Sequence, residues 1–247
     1  FIYYLLFMFN QKILDWFIKN KWEPHSYQLE LFKKIDEINN ALILAPTGSG
    51  KTLAGFLPSI NEMIVNPKQG LNTLYISPLK ALANDIERNL SKPIKEMGLN
   101  IRLETRTGDT KQSKKNNQKY NPPNFLMTTP ESFILMLSWE SASIFFQNLR
   151  YLIIDEIHTL VNDKRGDLLS LGISRLCHIN KKIKKIGLSA TVSEPNLILK
   201  WLNSGNQLNV KSSIIKQEWL LNPEIKLPKT KKQIPWSGHS GIFALDE

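Results

Sequence analysis

At 247 residues, with 42% apolar and 22% charged side chains, the composition is ordinary for a soluble globular protein of one large domain or two small ones, at roughly 150 residues per domain. A single cysteine, Cys177, excludes an intrachain disulfide and a zinc site built on thiolates, and fits a reducing, intracellular compartment. The net charge of +10 is patchy, with lysines at 111, 114, 115 and 119, at 181, 182, 184 and 185, and at 229, 231 and 232. Such clusters suit a polyanion partner or solvated loops, and a lysine- and asparagine-rich genome would also produce them.

The apolar opening, residues 1–9, lacks a basic leader and a small-residue cleavage site and is too short to span a bilayer. It reads as the start of a packing helix or as an artefact of where the sequence begins. No other stretch reaches membrane length, so no membrane partner is expected and the localisation reads as cytoplasmic. Residues 10–20 and 26–38 read as amphipathic helices separated by Pro24-His25-Ser26. Trp16, Phe17 and Trp22 beside them are either core or a stacking platform.

An apolar run, Ala41-Leu42-Ile43-Leu44, then leads into Ala45-Pro46-Thr47-Gly48-Ser49-Gly50-Lys51-Thr52 and a helical pattern. Strand, glycine-rich loop and helix opening on Lys-Thr is the context of a phosphate-binding loop, here with Ala45 in place of the usual first glycine. Gly48 and Gly50 allow the turn, and the loop N–H groups and the helix's positive end face one anion. Lys51 is placed to reach terminal phosphates and Thr52 to ligate Mg²⁺.

Further on, strands are expected at 71–77, 101–105, 125–128, 151–154 and 183–188. Helices are expected at 79–96, 130–139, 166–178 and 194–202. The polar stretch 110–124 reads as a surface loop, Lys181–Lys185 as a solvated turn, and residues from about 205 as a proline- and lysine-bearing linker. Alternation of strand and helix argues for a doubly wound, mostly parallel α/β sheet with helices on both faces.

Ligands in such sheets bind at the carboxyl ends of the strands. The run 151–154 ends in Asp155-Glu156-Ile157-His158, where Asp155 suits Mg²⁺ and Glu156 suits a base that orients and deprotonates a water. His158 reads as a coupling residue, since no second His or Cys stands at ligand spacing. The last strand ends in Ser189-Ala190-Thr191, small hydroxyl residues suited to relaying contacts from a nucleotide site.

In this order, Ala45–Thr52, Asp155–His158 and Ser189–Thr191 resemble motifs I, II and III of superfamily 2 DEXH-box helicases. Trp22–Gln28, Ser77–Ala83, the Thr107-Gly108-Asp109-Thr110 run and Ile234–His239 narrow the resemblance to Lhr-type helicases, nearest to the bacterial ligase-associated branch. The resemblance covers roughly residues 16–247. It implies a RecA-like P-loop NTPase domain over 40–204, preceded at 1–39 by helices carrying an adenine-reading Gln28. It implies ATP with Mg²⁺ held by Pro46, Thr47, Gly48, Ser49, Gly50, Lys51 and Thr52. It implies contacts to one nucleic-acid strand from Pro78, Lys80, Arg106, Thr107, Gly108, Thr128, Thr129 and Pro130.

The implied activity is ATP-dependent DNA unwinding or translocation in DNA repair, with single-stranded DNA and ligase-associated proteins as partners. An RNA helicase and a non-motor nucleic-acid-binding remnant are the other readings. The family resembles a pair of RecA-like domains, the second supplying an arginine finger. No second set of phosphate-cleft motifs follows Thr191, so residues 205–247 read as a linker toward a missing second domain, and the chain as the front half of a motor, truncated or split.

Overall fold

The structure, a computed structural model, describes residues 9–190, 192–204 and 210–217. Thr191, the last residue of the Ser-Ala-Thr run, lies outside the described residues, as do the Ile234–His239 string and the lysines at 229, 231 and 232.

Two helices, α1 (Gln11–Lys19) and α2 (Ser26–Lys34), precede the first strand. Asn10 caps α1 by accepting from the Lys12 N–H at 3.1 Å, and Ile13, Leu14, Trp16 and Phe17 form its buried face. There follow β1 (Asn40–Leu44), α3 (Lys51–Val65), β2 (Thr73–Ile76), α4 (Lys80–Glu96), β3 (Leu103–Arg106), α5 (Gln112–Tyr120), β4 (Phe125–Thr128), α6 (Pro130–Leu137) and α7 (Ala142–Phe145). The remainder is β5 (Tyr151–Ile154), a 3₁₀ turn (Ile157–Thr159), α8 (Lys164–Ile179), β6 (Lys184–Ser189), α9 (Pro195–Leu202) and β7 (Ser212–Lys216).

The strands make one seven-stranded parallel sheet in the order β3-β4-β2-β5-β6-β1-β7. β1, β2, β4 and β5 are buried along their whole length, as parallel strands covered on both faces must be. Alternate residues feed two cores: Ala41 and Ile43 face the side packed by α1 to α4, while Leu42 and Leu44 face the side packed by α6, α8 and α9. The α1 and α2 aromatics belong to the first core, so these helices pack directly on the sheet's covering layer.

Register sets which strand ends meet. Leu44 pairs with Ser189, Ile154 with Gly187 and Ile76 with Ile154, so the phosphate-type loop, the acidic turn and the Ser-Ala pair leave neighbouring strands at one edge. Ile76 and Arg106 both pair with Thr128, which brings the ends of β2, β3 and β4 to the same edge.

Three expectations need correction. The stretch 110–124 is not a loop throughout, since α5 forms within it. The helix has no apolar stripe to betray it: its one buried side chain is Gln118, whose Nε2 donates to Glu104 Oε2 at 2.9 Å and to the Thr105 carbonyl at 3.2 Å. The expected linker contains β7, which pairs with β1 and buries Ile215; one fully buried residue in five leaves no readable alternation. Finally, Lys184 and Lys185 are not solvated but lie in β6. Lys185 is wholly buried, donates to the Ser204 carbonyl at 3.1 Å, and burial pushes its pKa down to about 8. Among the described residues, no helix is long and apolar enough to cross a membrane.

Candidate nucleotide site and nucleic-acid edge

β1 delivers the chain to the loop already buried. Ala45, standing where glycine is usual, is itself a core residue, and its N–H donates to the Ser189 carbonyl at 3.2 Å. The loop then turns through Gly48 (φ +78°) and Gly50 (φ +84°), a left-handed backbone that glycine adopts without penalty. A side chain at Gly50 would also meet Gln28 Nε2 at 3.1 Å.

Two residues of α2 hold the loop from outside. Tyr27 donates its hydroxyl to the Ser49 carbonyl at 2.6 Å, and Gln28 Nε2 donates to the Gly50 carbonyl at 3.3 Å. The other end of the Gln28 amide accepts from the His25 N–H at 2.9 Å, so this buried side chain ties the start of α2 to the loop. Lys51 is buried, with its ammonium donating to the Ala45 carbonyl at 2.8 Å. Thr52 opens the helix half-buried and, with Trp16, Trp22 and Leu53, borders a cavity of about 260 Å³. Trp16 and Phe17 are core. Trp22 is 55% exposed, with its ring edge-on to Trp16 at 5.4 Å.

The acidic turn stands on the neighbouring strand. Asp155 is buried, and burial raises its pKa, opposed first by the hydrogen bonds from Tyr75 and the Glu156 N–H and last by the charge of Lys51. Its Oδ1 accepts from the Glu156 N–H at 2.8 Å, and its Oδ2 accepts from the Tyr75 hydroxyl. Sequence reasoning missed Tyr75, which reads as one more apolar residue of β2; only pairing of β2 with β5 aims its hydroxyl at the carboxylate. Burial drives the phenol pKa upward, so it stays a donor. Tyr75→Phe is expected to lower stability by about 1.5–3 kcal/mol, the worth of a hydrogen bond to a charged group. Urea unfolding at neutral pH measures the loss, and an unchanged midpoint would show that the phenol does nothing for Asp155.

Glu156 has φ +44°, a left-handed conformation uncommon for a side-chain-bearing residue and concentrated at functional sites. Its carboxylate lies 3.5 Å from His158 Nδ1, and that nitrogen shares a hydrogen bond of 2.9 Å with Ser189 Oγ. Motifs on β5 and β6 are thereby joined through His158. Ala190 follows at the strand end, half-buried.

The donor set suits Mg²⁺ carried in with phosphates. One buried carboxylate and one hydroxyl are what Mg²⁺ takes from a protein when waters and phosphate oxygens complete its octahedron. Among the described residues, no three His, Cys, Asp or Glu cluster into an all-protein cage.

At the β2–β4–β3 end of the same edge, Ser77 is buried, Pro78 half-buried and Lys80 exposed, its ammonium paired with Asp109 at 2.8 Å. Thr107, Thr128, Thr129 and Pro130 are buried, and Gly108 is exposed beneath the Lys80 side chain. Thr128 Oγ1 donates to the Arg106 carbonyl at 2.7 Å, tying β4 to the end of β3. Arg106 turns beneath α5, donating to the Lys115 carbonyl at 2.8 Å and covering the Trp139 ring at 4.7 Å. Arg165, also missed, donates to Glu131 at 2.7 Å and to the Pro78 carbonyl at 2.9 Å, bracing two of these segments together. It lies in a polar stretch with no motif around it.

A glycine-turned loop of phosphate-binding type and a polar strand edge on one parallel sheet have the build of a helicase motor domain, and comparison with known proteins agrees. The DEAD/DEAH box helicase profile matches residues 25–198, and the chain belongs to that family.

Within it the likeness is to Lhr-type helicases. The chain is 42% identical over 212 residues to the ATP-dependent helicase Lhr-Core of Methanocaldococcus jannaschii, an alignment covering 78% of this chain and 24% of that protein. It is 34% identical over 223 residues to the Lhr helicase/uracil glycosylase of Escherichia coli, covering 82% of this chain and 14% of that one. The structure of Mycobacterium smegmatis helicase Lhr bound to ssDNA and AMP-PNP superposes with a TM-score of 0.77 at 37% identity, over 85% of this chain and 28% of that one. The chain thus spans about a quarter or less of these relatives' length. The fold alone extends to the DEAD-box helicase Mss116, at a TM-score of 0.73 and 23% identity.

Proposed function

We propose that this chain is the first motor domain of an Lhr-type DNA helicase or translocase, taking Mg-ATP on the Ala45–Thr52 loop and single-stranded DNA along the Pro78–Pro130 edge. The observation that carries the reading is the register: pairing of β1, β5 and β6 brings a buried lysine, a buried carboxylate and a half-buried glutamate to one edge.

In this reading the loop N–H groups and the N-terminus of α3 receive the phosphates. Lys51 exchanges the Ala45 carbonyl for a terminal phosphate oxygen. Thr52 and Asp155 hold Mg²⁺, which supplies charge neutralisation to the phosphates when bound. Glu156 orients the attacking water and takes its proton, its backbone geometry already set before substrate arrives. His158 links that carboxylate to Ser189, and so to the Ser189-Ala190-Thr191 run that reports nucleotide state to the DNA edge. Gln28 and Trp22 meet the adenine from α2 and the turn before it.

The proposed division has residues 1–39 as N-terminal helices carrying the adenine-reading Gln28, residues 40–204 with β7 as the motor domain, and the remainder as a linker toward a second RecA-like domain. Because that partner supplies the arginine finger, hydrolysis by this chain alone is expected to be slow. DNA repair in the cytoplasm, beside ligase-associated proteins, is the proposed role of the whole motor.

Glu156→Gln tests the assignment of the base. The variant keeps nucleotide affinity within about twofold, and residual phosphate release falls by about 10²-fold or more, the scale of a lost general base. Turnover that is unaffected would give the proton to another group. Competition of equal-length single-stranded DNA and RNA, titrated at several salt concentrations, tests the DNA preference, and tighter RNA binding would reverse it.

A further inference from the structure

The helix that replaced the expected loop raises a separate question. Residues 110–130 contain four lysines and no aspartate or glutamate. The lysines at 111, 114, 115 and 119 fall at i, i+3, i+4 and i+8, one side of α5. At 1.5 Å per residue the row runs for about 12 Å.

The helix is held rigidly in place by partners that leave this row outward. Arg106 donates from below to the Lys115 carbonyl and to Gln118 Oε1, Gln118 anchors to Glu104 and Thr105, and Lys115 Nζ donates to the Gly108 carbonyl at 2.9 Å. Lys111 and Lys114 stay exposed, and among the described residues no ion pair engages either. They stand in the N-cap and first turn, where the helix is already positive, a placement unfavourable for the isolated domain and favourable once an anion lies across it. Nearer the other end, Lys119 packs on Trp139 at 5.5 Å, and the Tyr120 ring is 83% exposed.

Position completes the case. β3 is an edge strand, α5 begins just past its carboxyl end, and Gly108, to which Lys115 is tied, belongs to the candidate nucleic-acid edge. We propose that α5 is a second nucleic-acid contact: the phosphate backbone leaving the Lys80–Thr129 edge turns over the β3 side of the sheet and follows Lys111, Lys114 and Lys119. Arg106 is then a positioning residue, spent on holding the lysine helix in place. The inference rests on the nucleic-acid-binding reading above, and the test separates the two.

Anisotropy titrations of the 247-residue chain with two labelled single strands, across a salt series, make that separation. One strand is just long enough for the β2–β4–β3 edge, and the other extends well past it. For the Lys111→Gln/Lys114→Gln double variant, the slope of log affinity against log salt on the long strand becomes shallower by about 1.4, at ~0.7 per phosphate contact. The short strand is bound as by the parent, and Lys111→Arg/Lys114→Arg restores the long-strand slope. Equal long-strand slopes for parent and Gln variant would overturn the α5 contact while leaving the edge intact. A parent that binds neither strand would overturn the nucleic-acid reading, and this contact with it.

Discussion

Lys51→Ala is expected to remove nucleotide binding while leaving the domain folded. The ammonium is the buried cation of the loop, and it donates to the Ala45 carbonyl on its own loop. Losing that bond costs the empty protein about 1 kcal/mol. With nucleotide present the loss is greater, because an alanine leaves terminal phosphate charge in a partly dry site with no counter-charge. Truncating one partner of such a pair costs about 2–5 kcal/mol, or roughly 30- to several-thousand-fold in affinity. Asp155 also loses a cation that helps oppose the rise in its pKa. Titration of a fluorescent ATP analogue with Mg²⁺ measures the effect. Affinity equal to the parent's would remove the loop from the function proposed for it.

The second large effect is structural and lies away from the loop. A Cβ on Gly166 would stand 1.7 Å from the Leu160 carbonyl oxygen and 2.6 Å from its carbonyl carbon. Both atoms are backbone, so no side chain can swing aside. Gly166→Ala therefore has to push the first turn of α8 away from the segment that ends the 3₁₀ turn. A loss of about 3 kcal/mol is expected, the upper range for overpacking, which lowers the melting temperature of a domain this size by about 6–12 °C. The displaced segment is continuous with His158 and Glu156, so residual hydrolysis should fall as well. A melting temperature within a degree or two of the parent's would mean that the close approach of α8 is not needed. Gly172 shows the milder form of the same packing, where the near atoms are the tips of Ile134 and Phe133 side chains.

Legibility from sequence followed the physics of burial. β1, β2, β4 and β5 are continuous apolar runs between turn residues, and they were readable because a two-faced parallel strand has no other way to be built. The loop 45–52 and the 155–158 turn stand out in the sequence because few residue types suit phosphate and metal chemistry, and the register brings both to one edge. α5 was not, because a helix held by one buried glutamine and an arginine from another strand has no stripe. β7 was not, because a short edge strand with one fully buried residue gives no pattern. Tyr75 and Arg165 act across the sheet or between segments distant in sequence, on Asp155 and on Pro78 with Glu131, and no local spacing encodes such a meeting.

β7 also bears on how this domain can be handled. It covers the outer side of β1 along its whole length, from Asn40 opposite Ser212 to Leu44 opposite Lys216, and the Gln217 N–H closes the ladder on the Leu44 carbonyl at 2.9 Å. Without it, the strand that carries the phosphate loop would present a row of bare amides flanked by Ala41, Leu42, Ile43 and Leu44. That is a template for pairing with another copy, with no charge or proline to discourage it. A shortened version of the domain intended to stay monomeric in solution therefore has to reach Gln217, and one ending at the close of α9 invites precipitation through the strand that carries its phosphate loop.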